Sequence, residues 1–341
     1  MEDLDLLTDS YDYHLPKEMI ATEPVKPADS AKLLIYNRAT KEVIHTTFNK
    51  ILDYIPKDTA ILINDTKVIK ARIFGKKSSG GAVEVLVIKP VGKSRFVAMI
   101  KGRVKVGTEI LFEGALSAKV IELNSDGSRL VEFFVNQEPI EFAKLVEILE
   151  QIGHIPLPPY MNREDRAEDE VNYQTVFARE EGSVAAPTAS LHFTKELFEK
   201  LKQNYEVHTL TLHVGAGTFK PVDAKNILEH PMHSEYYSIP KSARAVIESN
   251  KKILAVGTTA TRTIEFYARG NEPNGECNLF LHPHNPPKRV DFLLTNFHLP
   301  KSTLIMLVSS FLGRETTLIL YNMAIENNYR FYSYGDAMLI L

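Results

Sequence analysis

Small residues, hydroxyls, a proline and an imidazole crowd into residues 182–194, GSVAAPTASLHFT, with Tyr173, Gln174 and Thr175 just before and HVGAGTF, residues 213–219, just after. Glycine and alanine let backbone approach a ligand closely, and His192 and His213 can exchange protons near neutral pH. That combination suits acid–base chemistry on a bound organic substrate. A second run, Gly257-Thr258-Thr259-Ala260-Thr261-Arg262, follows a strand-like stretch and leads into a helical one. Backbone N–H groups and the helix dipole favour an anion at such a junction, although a plain strand-to-helix turn explains it equally well. The GxxxxGK[ST] spacing is absent and HVGAGTF does not continue into GxGxxG, so nothing points to a nucleoside triphosphate. His282 with His284, and His230 with His233 and Glu235, lack the spacing of a zinc or iron centre and read as structural; no metal is expected.

Elements that could position these residues follow from periodicity. Residues 83–88, 96–100, 109–112, 118–123 and 130–134 are β-rich runs separated by GG, PVG, VGT and SDGS turn signals, which predicts a small antiparallel barrel or sandwich. Residues 142–151 have helical periodicity, with Gly153 as the C-cap. Beyond them helices alternate with strands: Thr194 caps a helix through Asn204, residues 241–250 and 315–327 form two more, and residues 207–214 and 253–256 are strands ending in glycine-containing loops. Residues 304–308 read as a core strand and turn, with Thr295, Asn296 and His298 forming a pocket wall beside them. Asp336 is a turn acid or a site residue in equal measure. The expected fold is α+β with two domains. A larger mixed α/β domain with a barrel-like core spans residues 1–60 plus 151–341, and a smaller antiparallel barrel-like domain, residues 61–150, is inserted in it.

With 341 residues, 44% hydrophobic and 24% charged, the chain has the makeup of a soluble globular protein. Its acidic start, MEDLDLLTDS, lacks the basic and apolar regions of a secretory signal, and no apolar run reaches the ~20 residues of a membrane span, so a cytoplasmic location is expected. Cys277 is the only cysteine, which rules out an intrachain disulfide. The net charge of −3 hides an uneven distribution: residues 65–105 carry eleven lysines and arginines against Asp65 and Glu84. A solvated strand face accounts for this as well as a contact to a nucleic-acid backbone does.

Seven blocks, in order, carry a resemblance that runs nearly end to end: YDYHLP with IATEP, NDTKVIKAR, GHIPLPPYM, GSVAAPTASLHFT, GTTATRTIE, LLTNFHLPKSTLIML and YSYGDAMLI. In these the chain resembles the S-adenosylmethionine:tRNA ribosyltransferase-isomerases of queuosine biosynthesis. It departs from that pattern at residues 27–32, where an Arg-Asp-x-Ser-Arg run is usual, at Ser190, where glycine is usual, at Ala260-Thr261, and at residues 280–287, where Phe-Ile-x-Pro-Gly is usual. Contacts at residues 280–287 therefore do not carry over.

The resemblance implies transfer and isomerisation of the ribosyl part of S-adenosylmethionine onto 7-aminomethyl-7-deazaguanine at the tRNA wobble position, giving epoxyqueuosine with release of adenine and methionine. The sulfonium donor is consumed, so no cofactor is implied; the partners are the donor and the tRNA, with no membrane, and the chain would work as a monomer or homodimer. Because the sulfonium acidifies the C5′ protons and departing adenine benefits from a proton, His192, His213 and His298 are the acid/base candidates, with individual roles open. Asn64, Arg72, Gln174, Thr175, Pro187, Thr188, Phe193, Gly215, Gly217, Thr218, Gly257, Thr258, Thr259, Arg262, Asn296 and Asp336 are the substrate-binding candidates. Two other classes remain open. A tRNA methyltransferase would release S-adenosylhomocysteine, and a tRNA-binding protein would turn nothing over.

Overall fold

The computed structural model describes residues 3–215 and 222–341. They divide into two compact units, one comprising residues up to 66, 174–180 and 186–341, the other residues 67–173 with 181–185. The boundaries drawn from sequence fall elsewhere, for reasons of pairing. The Thr59–Asn64 strand is buried at every position and lies inside the large sheet, so it stays with the first unit. Residues just after 151 stay with the second, where His154 and Arg72 exchange backbone hydrogen bonds of 2.8 and 3.3 Å.

In the larger unit a nine-stranded sheet runs, edge to edge, Asn274–Cys277, Glu235–Ser238, Glu206–Leu212, Thr59–Asn64, Lys252–Val256, Phe292–Asn296, Ala337–Ile340, Lys32–Tyr36 and Val43–Thr47. Four adjacent strands at its centre, from Glu206–Leu212 through Phe292–Asn296, are mutually parallel. Their β-branched and aliphatic runs suit strands covered on both faces. On one face Ile61, Ile63, Leu254 and Val256 pack with Phe193, Leu197 and Leu201, the last two from the Lys195–Asn204 helix. That helix begins as its sequence indicates: the Thr194 hydroxyl accepts from Leu197 N at 3.2 Å. Among the described residues no pairing joins the two outermost strands, so the barrel-like core read for this unit is an open mixed sheet. Helix-covered parallel strands bury both faces without closure, which removes the need for it.

Residues 304–308 form part of a helix, Thr303–Leu312, and not a strand. A short apolar run does not distinguish the two; the deciding signal is Ser302, whose hydroxyl accepts from Ile305 N at 3.3 Å. The next helix, Arg314–Glu326, falls within one residue of its expected bounds, while Lys241–Ile247 stops three short. Among the described residues no single helix is long and apolar enough to cross a membrane.

The smaller unit is a closed antiparallel barrel. Its ring runs Arg72–Lys77, Ala82–Val91, Arg95–Lys101, Arg129–Val135, Leu116–Leu123 and Glu109–Leu111, which pairs back onto Arg72–Lys77. Five of the six strands are legible as β-rich runs; the first, RIFGKK, is not. Val85, Phe96, Ala98, Ile110, Val120, Val131 and Phe133 are fully buried. A Cβ on Gly75 would lie 2.8 Å from the Ile110 and Phe112 side chains, so this strand needs glycine. The Phe142–Ile152 helix ends at Gly153, but with φ −88° the left-handed cap is not the reason for glycine. A Cβ there would sit 2.1 Å from the Lys70 carbonyl oxygen.

Candidate active site

Polar groups gather where the parallel strands of the larger unit end. Asn64, His213, Gly257 and Asn296 each lie at or just past the C-terminal end of one of the four, the edge at which open α/β sheets present their ligand sites.

The Asn64 amide ties this edge together. Its Oδ1 accepts from Leu212 N (3.0 Å) and Thr66 N (3.2 Å), and its Nδ2 donates to Leu212 O (2.9 Å) and Thr259 Oγ1 (3.2 Å). With those groups committed, Asn64 positions its neighbours. The Thr66 hydroxyl lies 2.8 Å from His213 Nδ1, and the Tyr236 ring stacks on the imidazole at 5.8 Å and 21°. His213 is only partly buried, and its Nε2 has no partner among the described residues. Burial lowers its pKa below the usual 6.5, with Glu180 pulling the other way, so the ring is neutral at pH 7 and able to accept a proton.

His192 belongs to a different arrangement. The Thr188 hydroxyl donates to Asn296 Oδ1 (3.0 Å), and Asn296 Nδ2 lies 3.2 Å from His192 Nε2. An amide donor there places the ring proton on Nδ1. His192 is 5% exposed and lies 4.9 Å from the Phe48 ring. Burial, and secondarily the Arg330 charge, push its pKa down to about 3. His298 Nε2 is 2.8 Å from Thr295 Oγ1, its backbone N–H donates to the Tyr321 hydroxyl (3.3 Å), and burial pushes its pKa down to about 3 as well. Both rings are neutral and held inside the fold.

The remaining candidates separate into groups. Gly257 has φ +90°, favourable only to glycine, and opens the Thr258–Tyr267 helix, whose first turn has no side-chain cap. Ala189 lies 3.7 Å from where a Gly257 Cβ would be, which brings the Pro187–Thr188 turn to this junction. Arg262 is not a free anion clamp: it is 7% exposed, is bonded to Glu235, and donates to Leu279 O (3.0 Å) and Cys277 O (3.3 Å). Glu235 also accepts from Gly215 N (2.9 Å), so both its carboxylate oxygens are used within the protein. Asp336 accepts from Lys32 N (2.9 Å) and Arg330 N (2.8 Å), which makes it a turn acid. Phe193 packs edge-on against Phe48 in the core. Gln174 is partly buried, and Thr175 is buried with its hydroxyl unpaired among the described residues. Arg72 belongs to the smaller unit, where Glu84 (2.9 Å), Glu164 (3.0 Å) and the face of Phe74 hold it. Gly217 and Thr218, with Phe219, lie outside the described residues.

Sequence reasoning passed over three groups here. Thr66 and Tyr236 hold His213 from two sides. Asp65, 1% exposed, accepts from Thr211 Oγ1 (2.7 Å) and Arg179 (2.7 Å), and burial raises its pKa despite those bonds. Its place in the NDT of the second sequence block was the available signal. A pocket at the start of the Thr258–Tyr267 helix is lined by Thr258, Thr259, His230, His233, Phe280 and Leu304 among others.

Three comparisons bear on this edge. The family model described as queuosine biosynthesis protein matches residues 8–340. An S-adenosylmethionine:tRNA ribosyltransferase-isomerase of Aliarcobacter butzleri is 62% identical over 336 residues, covering 98% of this chain and 99% of the relative. One of the same name from Sulfurimonas denitrificans is 57% identical over 342 residues, with both chains fully covered. The crystal structure of an S-adenosylmethionine tRNA ribosyltransferase from Thermotoga maritima superposes with a TM-score of 0.54 at 33% identity, over 97% of this chain and 100% of that one.

Proposed function

We propose, from the premise that this chain belongs to the queuosine biosynthesis protein family, that it is an S-adenosylmethionine:tRNA ribosyltransferase-isomerase. It moves the ribosyl part of the sulfonium donor onto 7-aminomethyl-7-deazaguanine in tRNA, releasing adenine and methionine. The observation that carries this reading is identity of 57–62% over essentially the whole chain with relatives of that name. S-adenosylmethionine is a consumed substrate and no further cofactor takes part. The cytoplasm, where tRNA resides, is the site of action.

His213 is the proton-transfer group in this reading. The sulfonium makes the adjacent C5′ protons acidic, and an imidazole that is neutral, reachable and held through its other nitrogen suits their removal or the shuttling of a proton to a leaving group. His192 and Asn296 fix the Thr188 turn against the sheet edge, and His298 holds the end of the Phe292–Asn296 strand through Thr295; both imidazoles position the site.

The barrel supplies a sequence-independent hold on the tRNA backbone. Lys76, Lys93, Arg95, Lys101, Arg103 and Lys105 form no ion pair among the described residues, unlike Arg72, Lys67 and Lys70, which are matched to carboxylates. Unmatched cations are those that phosphates can recruit, with release of counterions.

The test is to incubate the protein with S-adenosylmethionine and tRNA bearing the aminomethyl base, following adenine and the nucleoside mass together. Adenine with an epoxyqueuosine-mass nucleoside is the expected outcome. S-adenosylhomocysteine would mean methyl transfer, and no product from a folded preparation would leave a binding role.

A further inference from the structure

We propose that the pocket at the start of the Thr258–Tyr267 helix seats the purine ring of S-adenosylmethionine, with Phe280 and His230 as its ring contacts and the helix's first turn as hydrogen-bond donor. The assignment rests on the ribosyl-transfer reading and adds where the base that will leave is held.

Charge is the first argument. The fixed charges in the lining, Arg262 and Glu235, are consumed by each other, and the remaining Arg262 donors go to the Leu279 and Cys277 carbonyls. A zwitterionic amino-acid end would need a countercharge for its carboxylate and another for its ammonium, and a phosphate would need unpaired cations. Among the described residues the lining offers neither, so it suits an uncharged fragment. Burial lowers the His230 pKa, an effect the nearby His233 charge reinforces, which keeps that ring neutral as well.

Shape and polarity form the second argument. Met232, Leu279, Leu281, Leu304, Leu307 and Phe280 supply apolar surface, and the Phe280 and His230 rings meet edge to face at 6.4 Å and 66°. A mostly apolar recess with aromatic walls and a few polar groups accepts a flat heteroaromatic ligand. The polar groups also match. The uncapped first-turn N–H groups can donate to ring nitrogens, and the neutral His230 imidazole can accept from an exocyclic amine.

Position is the third. Thr259, in the lining, is bonded to Asn64, whose Oδ1 takes the N–H of Thr66, and Thr66 holds His213. The pocket and the proton-transfer imidazole thus share one rigid edge.

The experiment measures adenine binding to the full chain by calorimetry, and adenine and methionine as inhibitors of turnover, for wild type, Phe280→Ala, His233→Ala and Met232→Trp. Phe280, His233 and Met232 are all partly exposed, and Met232→Trp fills the recess without opening a cavity, so a folded variant is available even if the truncations misfold. Adenine affinity should fall about tenfold or more in each folded variant, with methionine inhibition unchanged. Adenine affinity within about twofold of wild type in Met232→Trp and Phe280→Ala would overturn the assignment. So would loss of methionine inhibition with adenine binding intact, which would give the pocket to the amino-acid end. If wild type releases adenine in the full reaction while the variants still bind it normally, only the pocket assignment fails; if wild type releases none, the ribosyl-transfer reading fails with it.

Discussion

The two units of this protein handle polar groups in opposite ways. In the barrel unit the six ring strands enclose an apolar interior around Val85, Phe96 and Phe133, the buried polar Ser128, Asp169 and Ser183 lie outside those strands, and Arg72, Lys67 and Lys70 meet carboxylates at or near the surface. In the larger unit Asn64, Asp65, His192, Asn296 and His298 are all buried along one sheet edge, and each makes at least one side-chain hydrogen bond there. Burying polar groups costs stability unless every one is paired, so a fold accepts such an edge where it must hold groups in fixed orientation. The barrel carries the signature of a stable module with a charged exterior, and the edge that of a site.

The sharpest way to break this contrast is His213→Ala. Turnover should fall by about 10²–10⁴-fold, the usual scale of a lost general acid–base group, with the thermal midpoint little changed because the ring is only partly buried. Steady-state adenine release and thermal unfolding read the two effects separately. Phe133→Ala in the barrel should do the reverse, costing roughly 3–5 kcal/mol of stability through the cavity it leaves, while the folded fraction keeps its rate constant for adenine release. Denaturant titration beside single-turnover kinetics checks it.

Acid sharpens the contrast further. His192 and His298 titrate at about 3 in the folded protein, and an unperturbed imidazole near 6.5. Between those values the unfolded chain binds more protons, so the stability tied to these rings is full above 6.5 and is lost as pH falls toward 3, by on the order of 1 kcal/mol per pH unit for each ring. Thermal midpoints recorded from pH 7 to 4 should fall accordingly, and less steeply in His298→Asn. Because burial lowers the His213 pKa, the acid limb of kcat/KM should lie below 6.5. The smallest effect belongs to the barrel surface. Replacing Lys76, Lys101 and Lys105 together by alanine should weaken tRNA binding evenly and lower the log–log salt slope by about 2, with S-adenosylmethionine affinity unchanged.

Much of this contrast was legible before the fold was known. β-Rich runs with glycine turns announce a small antiparallel barrel or sandwich, and Thr194 announces its helix through its capping hydroxyl. The strand RIFGKK escaped because its glycine is dictated by contact with Ile110 and Phe112, which no local pattern encodes. Thr303–Leu312 was misread because a five-residue apolar run fits strand and helix alike. Within the candidate site, sequence singles out residue types but not the partners that occupy their polar atoms. Asn64, Arg262 and Asp336 look like ligand-binding groups in one dimension, and only the fold shows their polar atoms engaged by backbone, Glu235 and Lys32. From sequence, His192 and His213 lead as acid/base candidates and His298 comes third; partial burial and an Nε2 uncommitted among the described residues distinguish His213 from the two sealed rings.

The most direct test of the central claim is single-turnover adenine release by wild type and His213→Ala, at saturating S-adenosylmethionine and modified tRNA, with the tRNA nucleoside mass read in the same samples. Wild type should release adenine in step with an epoxyqueuosine-mass nucleoside, and the variant should bind both substrates yet release adenine at least about 10²-fold more slowly. Equal rates in the two proteins would contradict the assignment of His213.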